Sequence, residues 1–455
     1  MKATPVSPLM NKVAGYIAGA TQRALPARVQ EKTKHHLLDT LAAIVSGSRL
    51  YPGQKAIEYI ESQGGTPQAL VLGTRILTTA VNAALANGMC AHADETDDSH
   101  AASLTHPGCG VVPAALAIGE RDRRSGQELL RAVALGYDIC ARLSMSLGDY
   151  AFRDAGHSTH TFGPTFGAAA AAGALAGLDK RQVRHLLSYT AQQVSGVACW
   201  MRDAEHVEKA FDFGGMPARN GTTAATFVSA GFTAVEDVFE GERNFFVAYG
   251  ALGKPERLVE DLGRRYEIMN TNIKRWSVGS PIQAPLDSLL ELIRAHSLKA
   301  DDVEHVEVRV SITGANTTDN RHMPDICMQH MVACMLLDGI VTFESSHDED
   351  RMQDPKVLAL RKRITSIGDP ELQKVMPSRQ GVVTIKTKDG RTLRHHTQAV
   401  RGTAQNPMAR AEVDEKCFHL LAPILGKNRA RKLCDAVWSL ESTKDVRALR
   451  PLLRA

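Results

Sequence analysis

The sequence predicts a mainly α protein, a large all-helical domain carrying an inserted, smaller α+β lid domain. Three observations predict it. From about residue 8 to 265 apolar residues recur almost throughout at helical spacing. Near residue 270 the texture changes to period-two alternation, the mark of a half-buried strand. After Asn406-Pro407 the helical pattern returns. The expected division is residues 1–270 with 405–455 as the helical domain and 271–404 as the lid.

In the first stretch, Val29 to Val45 places Leu37, Leu38, Leu41, Ala42, Ile44 and Val45 on one face, and Gly47 closes it. Gln127 to Leu147 repeats the theme after Ser125-Gly126, as do Arg181 to Val197 and Asn220 to Ala230. The alanine- and glycine-rich run from Phe166 to Leu178 reads as a helix whose small side chains let neighbours come close. In the second region, Val303 to Ile312 alternates apolar and polar residues and reads as a strand. Gly381 to Thr387 and Arg391 to Thr397, joined through Asp389-Gly390, read as a β-hairpin. Pro285 to Ala295 and Ile326 to Leu337 are helical between them. Glu412 to Leu421 and Arg429 to Ser439 are two short helices expected to pack back onto the first region.

The bulk numbers agree with this class. The 455 residues suffice for two or three domains, 44% are hydrophobic and only 5% aromatic, a balance that suits close-packed helices better than a β-sandwich. A formal net charge of +4 over this length gives no footprint for nucleic acid. The basic runs Arg121 to Arg124 and Lys427 to Lys432 read as solvated helix ends. The eight cysteines include no Cys-x-x-Cys pair and read as buried thiols rather than disulfides or a zinc knuckle. Met1 to Pro8 lacks the apolar core of a signal peptide. The longest apolar run is about 13 residues against the roughly 20 a membrane span needs. A soluble, cytoplasmic protein with no membrane or nucleic-acid partner is the expectation.

The densest polar cluster is His92-Ala-Asp94-Glu95-Thr-Asp97-Asp98-Ser99-His100, followed by Thr105-His106-Pro107-Gly108. Four acids in five positions beside an apolar helix repel one another and are costly unless something uses them. Three readings compete: a solvated helix end, a metal site, and a proton-transfer site in which acids orient His106 and set its basicity. No zinc or EF-hand spacing matches. A second cluster, Gly156-His157-Ser-Thr159-His160-Thr-Phe-Gly163, precedes the small-residue helix, where glycines and helix amides favour an anion. Lys209, in Glu205-His-Val-Glu-Lys209-Ala-Phe-Asp-Phe-Gly214, and Lys274, in Lys274-Arg-Trp276, stand beside long apolar stretches, where a buried cation needs an anionic partner.

Together these motifs resemble the MmgE/PrpD family. Asn87-Gly88-Met-Cys-Ala-His92 running into the acidic cluster, with His106-Pro107-Gly108, resembles its first signature. His157-Ser-Thr159 with Gly163 is similar to its second, Lys209 with Gly214 and Ala218-Arg-Asn-Gly221 to its third, and Lys274-Arg-Trp276 to its fourth. The match runs in order from about residue 10 to the C-terminus. The resemblance implies a helical domain with an α+β lid, a homodimer, an active site between the domains, and no metal or organic cofactor. Family members include 2-methylcitrate dehydratase, cis-aconitate decarboxylase and iminodisuccinate epimerase. Carried over by position, the implied catalytic residues are Asp97, His106, His157, Lys209 and Lys274, and substrate contacts fall to Glu95, Asp98, Ser99, Thr159 and His160.

Three positions depart from the family pattern. Glu95 stands where an aspartate is usual, and the loop between Ser99 and His106 is one residue longer than in the decarboxylase branch, bringing in His100. Gly279 replaces the histidine which that branch carries five residues after the fourth-motif lysine, and this counts against cis-aconitate decarboxylation. The common chemistry is proton transfer at a carbon beside a carboxylate, with His157 or His106 as the base and the other as the acid. Asp97 holds its histidine partner, and the two lysines clamp substrate carboxylates, one from each domain. A hydro-lyase acting on a small di- or tricarboxylate is expected, with an isomerase or epimerase as the alternative. A non-catalytic helical binding protein would instead disperse these residues over its surface.

Overall fold

The computed structural model describes residues 6–250 and 253–455. The chain forms two compact units. One comprises residues up to 93, 97–271 and 410–455. The other comprises 272–409 together with the short segment 94–96. The second unit therefore runs five residues past the expected end at 404 and takes in three residues from the acidic cluster. Of the N-terminal stretch read against a signal peptide, Met1 to Pro5 lie outside the described residues.

The first unit is mainly helical. Its centre is the helix Thr159–Leu175, almost wholly buried and packed against the helices Gly126–Ser146, Met216–Ser229 and Pro107–Arg121. Small side chains make this possible: a Cβ added at Gly167 would lie 2.5 Å from the Gly136 carbonyl oxygen, so the two backbones nearly touch. The helix Gly126–Ser146 starts where Ser125 and Glu128 cap each other reciprocally. The helix Ala27–Gly47 receives the two C-terminal helices, Arg410–Leu425 and Lys427–Trp438. Ion pairs from Arg410 to Glu31 and from Lys416 to Asp39, both at 2.6 Å, mark that contact. The unit is not all-helical, because Ala69–Leu70 pairs antiparallel with Leu77–Thr78. These two-residue strands are too short to show a period in sequence.

Arg142 is fully buried, which demands compensation. It pairs with Asp138 at 3.0 Å and donates to the carbonyls of Arg265 (2.8 Å) and Glu260. Asp138 also accepts from the Tyr16 hydroxyl at 2.9 Å and from the Glu267 amide at 2.9 Å. Segment 260–267 is thereby tied to the core helix although it has little regular structure.

The second unit carries a four-stranded sheet in the order Ile364–Asp369, Val303–Ser311, Gly381–Thr387, Thr392–Thr397. The first pair is parallel and the others antiparallel. Val303, Val306, Val308 and Val310 are buried against the helices Ser280–His296 and Met328–Asp338, which is the alternation the sequence displays. Gly390, with φ of 89°, sits in the hairpin turn at the conformation the Asp-Gly dipeptide favours. The parallel strand Ile364–Asp369 was not expected, since it is short and half-polar. All eight cysteines are unbonded, and all but Cys199 are buried. Among the described residues no helix is long and apolar enough to cross a membrane.

Candidate active site

The helix Ala80–Ala91 ends at His92, and the chain then bends through the acidic cluster. The solvated-helix-end reading fails, because Asp94, Glu95, Asp97 and Asp98 are all buried. Each has a specific partner, as buried carboxylates require.

Asp97 is fully buried and joins two imidazoles. Its Oδ2 accepts from Nδ1 of His92 at 3.0 Å and its Oδ1 from Nδ1 of His106 at 3.1 Å. Burial works against its charge, but the two histidines hold its carboxyl well below the usual carboxylate range. Burial, only partly offset by Asp97, lowers His92. The side chain of His92 is fully enclosed, whereas that of His106 keeps 10% of its surface open.

Around this pair stands an aromatic wall built on Phe213. His92 stacks on Phe213 at 4.2 Å and His160 stacks on it at 3.8 Å, and the His106 and His160 ring centres are 5.3 Å apart. Trp200 meets Phe213 edge-on at 4.6 Å. The Lys209 ammonium lies 5.3 Å from the Phe213 ring and 5.7 Å from the Trp200 ring. Phe213 occupies a five-residue π-helical turn, Phe211–Gly215, between Val207–Ala210 and the helix Met216–Ser229. Such turns are rare and frequent at functional sites. The turn approaches the helix Ala80–Ala91 backbone to backbone. A Cβ at Gly214 would lie 2.0 Å from the Gly88 carbonyl oxygen, and one at Gly88 would lie 2.4 Å from that of Gly214. His206 sits just before this region at φ of 61°, a conformation rare for a side-chain-bearing residue.

Asp98 faces the helices Ala27–Gly47 and Gly126–Ser146. It accepts from His36 Nδ1 at 2.7 Å, the Tyr137 hydroxyl at 2.6 Å and the Gly108 amide at 3.0 Å. Burial pushes His36 down to about 4. Asp98 is thus a structural anchor for the turn that carries Asp97. Thr159 donates to the Leu104 carbonyl at 2.7 Å and secures the loop before His106. Ser99 is half-buried at the start of that loop. His100 lies 3.5 Å from Glu267 and bonds Ser103 at 2.7 Å, so the extra loop residue is an internal brace. Burial opposes ionisation of Glu267, but His100, Asn270 and Arg265 hold it down at about 2.

His157 lies in different company. Its ring stacks on Phe152 at 4.4 Å and meets Phe162 and Tyr249 edge-on. The rings gathered on Phe213 are those of His92, His106, His160 and Trp200.

Within the second unit, the Lys274 ammonium donates to the Glu95 carbonyl at 2.8 Å and to its carboxylate at 3.2 Å. Asp94 pairs with His347 at 2.9 Å and accepts from the Thr96 amide at 2.9 Å. Gly279 opens the helix Ser280–His296, and a Cβ there would meet only the flexible end of Ile326, whose Cδ1 would lie 2.2 Å away.

The geometry adds His92, His36, Tyr137, Phe213 and Trp200 to the residues singled out in sequence. The rings of His36, Tyr137 and Phe213 carry no local signal, since each is placed by tertiary packing. His92 stood in sequence as the first residue of the polar cluster and the end of the first motif, without an assigned role. Donor atoms of His92, Asp97 and His106 also lie within 4.8 Å of one another, a spacing compatible with a cation.

Comparison with known proteins reaches the same region. A cis-aconitate decarboxylase-like protein, oryM, of Aspergillus oryzae is 22% identical over 483 aligned positions, covering 99% of this chain and 98% of the relative. The MmgE/PrpD N-terminal domain model matches residues 11–257, which include the Asp97 cluster and Lys209, and the C-terminal domain model matches 276–441. With both domain models matched in order, this chain belongs to the MmgE/PrpD family.

Proposed function

We propose that this protein is a cofactor-independent hydro-lyase acting on a small di- or tricarboxylate, working as a homodimer with the α+β unit as its lid. The observation that supports it most is the buried Asp97 carboxylate shared by the Nδ1 atoms of His92 and His106. A carboxylate that takes the Nδ1 protons leaves Nε2 of each neutral ring as the basic nitrogen. Only His106 of the two keeps open surface, so His106 is the base. It removes the proton from the carbon next to a substrate carboxylate. Lys209, beside the same aromatic wall, holds that carboxylate and the charge that develops on it. His160, half-buried and 5.3 Å from His106 between ring centres, protonates the hydroxyl on the adjacent carbon, which leaves as water. The C–H electron pair becomes a carbon–carbon double bond conjugated to the carboxylate, while the C–O pair departs with the oxygen. Lys274 is assigned to a second carboxylate, which would take the place Glu95 now holds.

The relative's name favours decarboxylation as a second reading, in which the bond to a carboxyl carbon breaks and the same acid protonates the carbon left behind. Gly279, which offers no imidazole where the decarboxylase branch carries a histidine, weighs against it. An epimerase would use the same base and return the proton to the opposite face.

Proton NMR in D₂O tests the proposal with 2-methylcitrate, citrate, cis-aconitate, itaconate and iminodisuccinate, comparing the native chain with His106→Ala and Lys209→Ala. Water loss with deuterium entering beside a carboxylate, abolished in both variants, is the expected result. Carbon dioxide release would establish the decarboxylase, and exchange with inversion the epimerase. Turnover that survives both substitutions would remove this site from consideration, and loss of turnover with a chelator, restored by a metal, would assign His92, Asp97 and His106 to a cation.

A further inference from the structure

One buried carboxylate beside the candidate site has no part in the chemistry above. Asp212, in the π-helical turn, accepts from the Ser158 hydroxyl at 2.5 Å, and the Ser158 oxygen accepts from the Trp200 indole N–H at 3.1 Å. An indole nitrogen can only donate, so Ser158 must accept from it and direct its own proton onward. The chain of bonds therefore has one direction, Trp200 to Ser158 to Asp212, and its last member is the ionised carboxylate. Thr161 donates to the Asp212 carbonyl at 3.1 Å, which ties the same turn to the helix Thr159–Leu175.

We propose that Asp212 is a proton-responsive positioning residue. Through Ser158 it seats the Trp200 indole, and through its own turn it sets Phe213, on which His92 and His160 stack. When Asp212 takes up a proton on the oxygen that faces Ser158, that oxygen becomes a donor, and the Ser158 hydroxyl must turn its own proton away, which reverses the end of the directed chain. Burial pushes the Asp212 carboxyl up to about 6, opposed by Ser158 and Thr161 and assisted by Glu208, so the reversal falls near neutral pH. The other titratable or charged groups on the elements packed about the turn are Lys209 before it, Arg219 after it, Cys90 on the helix Ala80–Ala91, Cys109 and, at the far end, Glu120 and Arg121 on the helix Pro107–Arg121, and His160 on the helix Thr159–Leu175. Of these, Cys109 directs its thiol to the Phe213 carbonyl, and Arg219 lies over Phe211. The bearing on catalysis rests on the proton-transfer reading, whereas the hydrogen-bond chain does not.

The test needs no substrate. The full chain is labelled with 5-fluorotryptophan, and the Trp200 fluorine signal is assigned among the three tryptophans by its absence in Trp200→Phe. Its chemical shift is then followed as pH is lowered from about 8 to about 5. The expected result is a one-proton transition near pH 6 that disappears in Asp212→Asn and in Ser158→Ala. A Trp200 signal that does not move in the native chain overturns the proposal. So does a transition retained in Asp212→Asn, which would belong to His160, whose ring lies 5.4 Å from Trp200. Because this readout is independent of turnover, failure of the hydro-lyase assay leaves it standing, and its own failure leaves the assay standing.

Discussion

At Asp97 a single carboxylate settles the tautomers of two histidines. Replacing it by asparagine keeps the shape but leaves one oxygen and an amide that can only donate, so one imidazole must turn its Nδ1 lone pair inward and protonate Nε2. With the amide nitrogen turned to His106 the proposed base is lost, and with it turned to His92 the base still loses the carboxylate that stabilises its charged form. Asp97→Asn is expected to lower turnover in the D₂O assay by about 10²–10⁴-fold, the usual weight of a general base, with an unchanged circular dichroism spectrum. A loss under about tenfold would show that the pair serves the fold alone. Residue chemistry of this kind was partly legible in sequence. The cluster 92–106 announced itself by four acids that had to be used, and His106 and Asp97 are joined as expected. Its other half came from Phe213 and Trp200, which local pattern cannot pair with that cluster because they approach from separate segments.

At the scale of elements, the π-helical turn depends on a fit between two glycines 126 positions apart in the chain, Gly88 and Gly214. Both stand in the family motifs, yet neither the turn nor their contact is visible from spacing. Helix periodicity reports a buried face and says nothing about which backbone atoms meet. The same limit appears at helix ends. The stretch Arg181 to Val197 reads as one helix, but the helix Lys180–Gln193 stops earlier and Ala198–Arg202 forms a separate 3₁₀ segment that carries Trp200. Gly214→Ala would press a methyl onto a backbone carbonyl that cannot give way. It is expected to destabilise the chain by about 1–3 kcal/mol, the usual cost of overpacking, and to weaken the Phe213 stack. Urea unfolding measures the first effect and the Trp200 fluorine signal the second. A variant as stable as the native chain with an unchanged signal would mean the turn relaxes freely.

Across the whole molecule, both units bury charges and balance them locally, Arg142 with Asp138 in the first and Lys274 with Glu95 in the second. The two textures of the sequence, helical period and strand alternation, foretold this mainly α chain with its small sheet, while the edge strand Ile364–Asp369 stayed hidden because it is short and shows no alternation of buried and exposed residues. The second unit's pH response follows from His347. Burial opposes its charge, but Asp94 beside it raises it from 6.5 to about 9. A histidine whose folded value lies above its unfolded one stabilises fully below about pH 6.5, and that contribution is lost as pH rises through about 9. At roughly 1.4 kcal/mol per pH unit the contribution is at most about 3 kcal/mol. Lys32 in the first unit acts in the opposite sense, since burial lowers it to about 8 and the folded chain gains as pH rises towards the ordinary lysine range. The measurement that isolates His347 is therefore a difference: urea unfolding of the native chain and of His347→Gln, each at pH about 6 and about 10. The native chain should exceed the variant in stability at the lower pH and match it at the higher. An equal gap at both would mean that Asp94 and His347 are held by packing, and that the charge on the imidazole contributes nothing to keeping 94–96 in place.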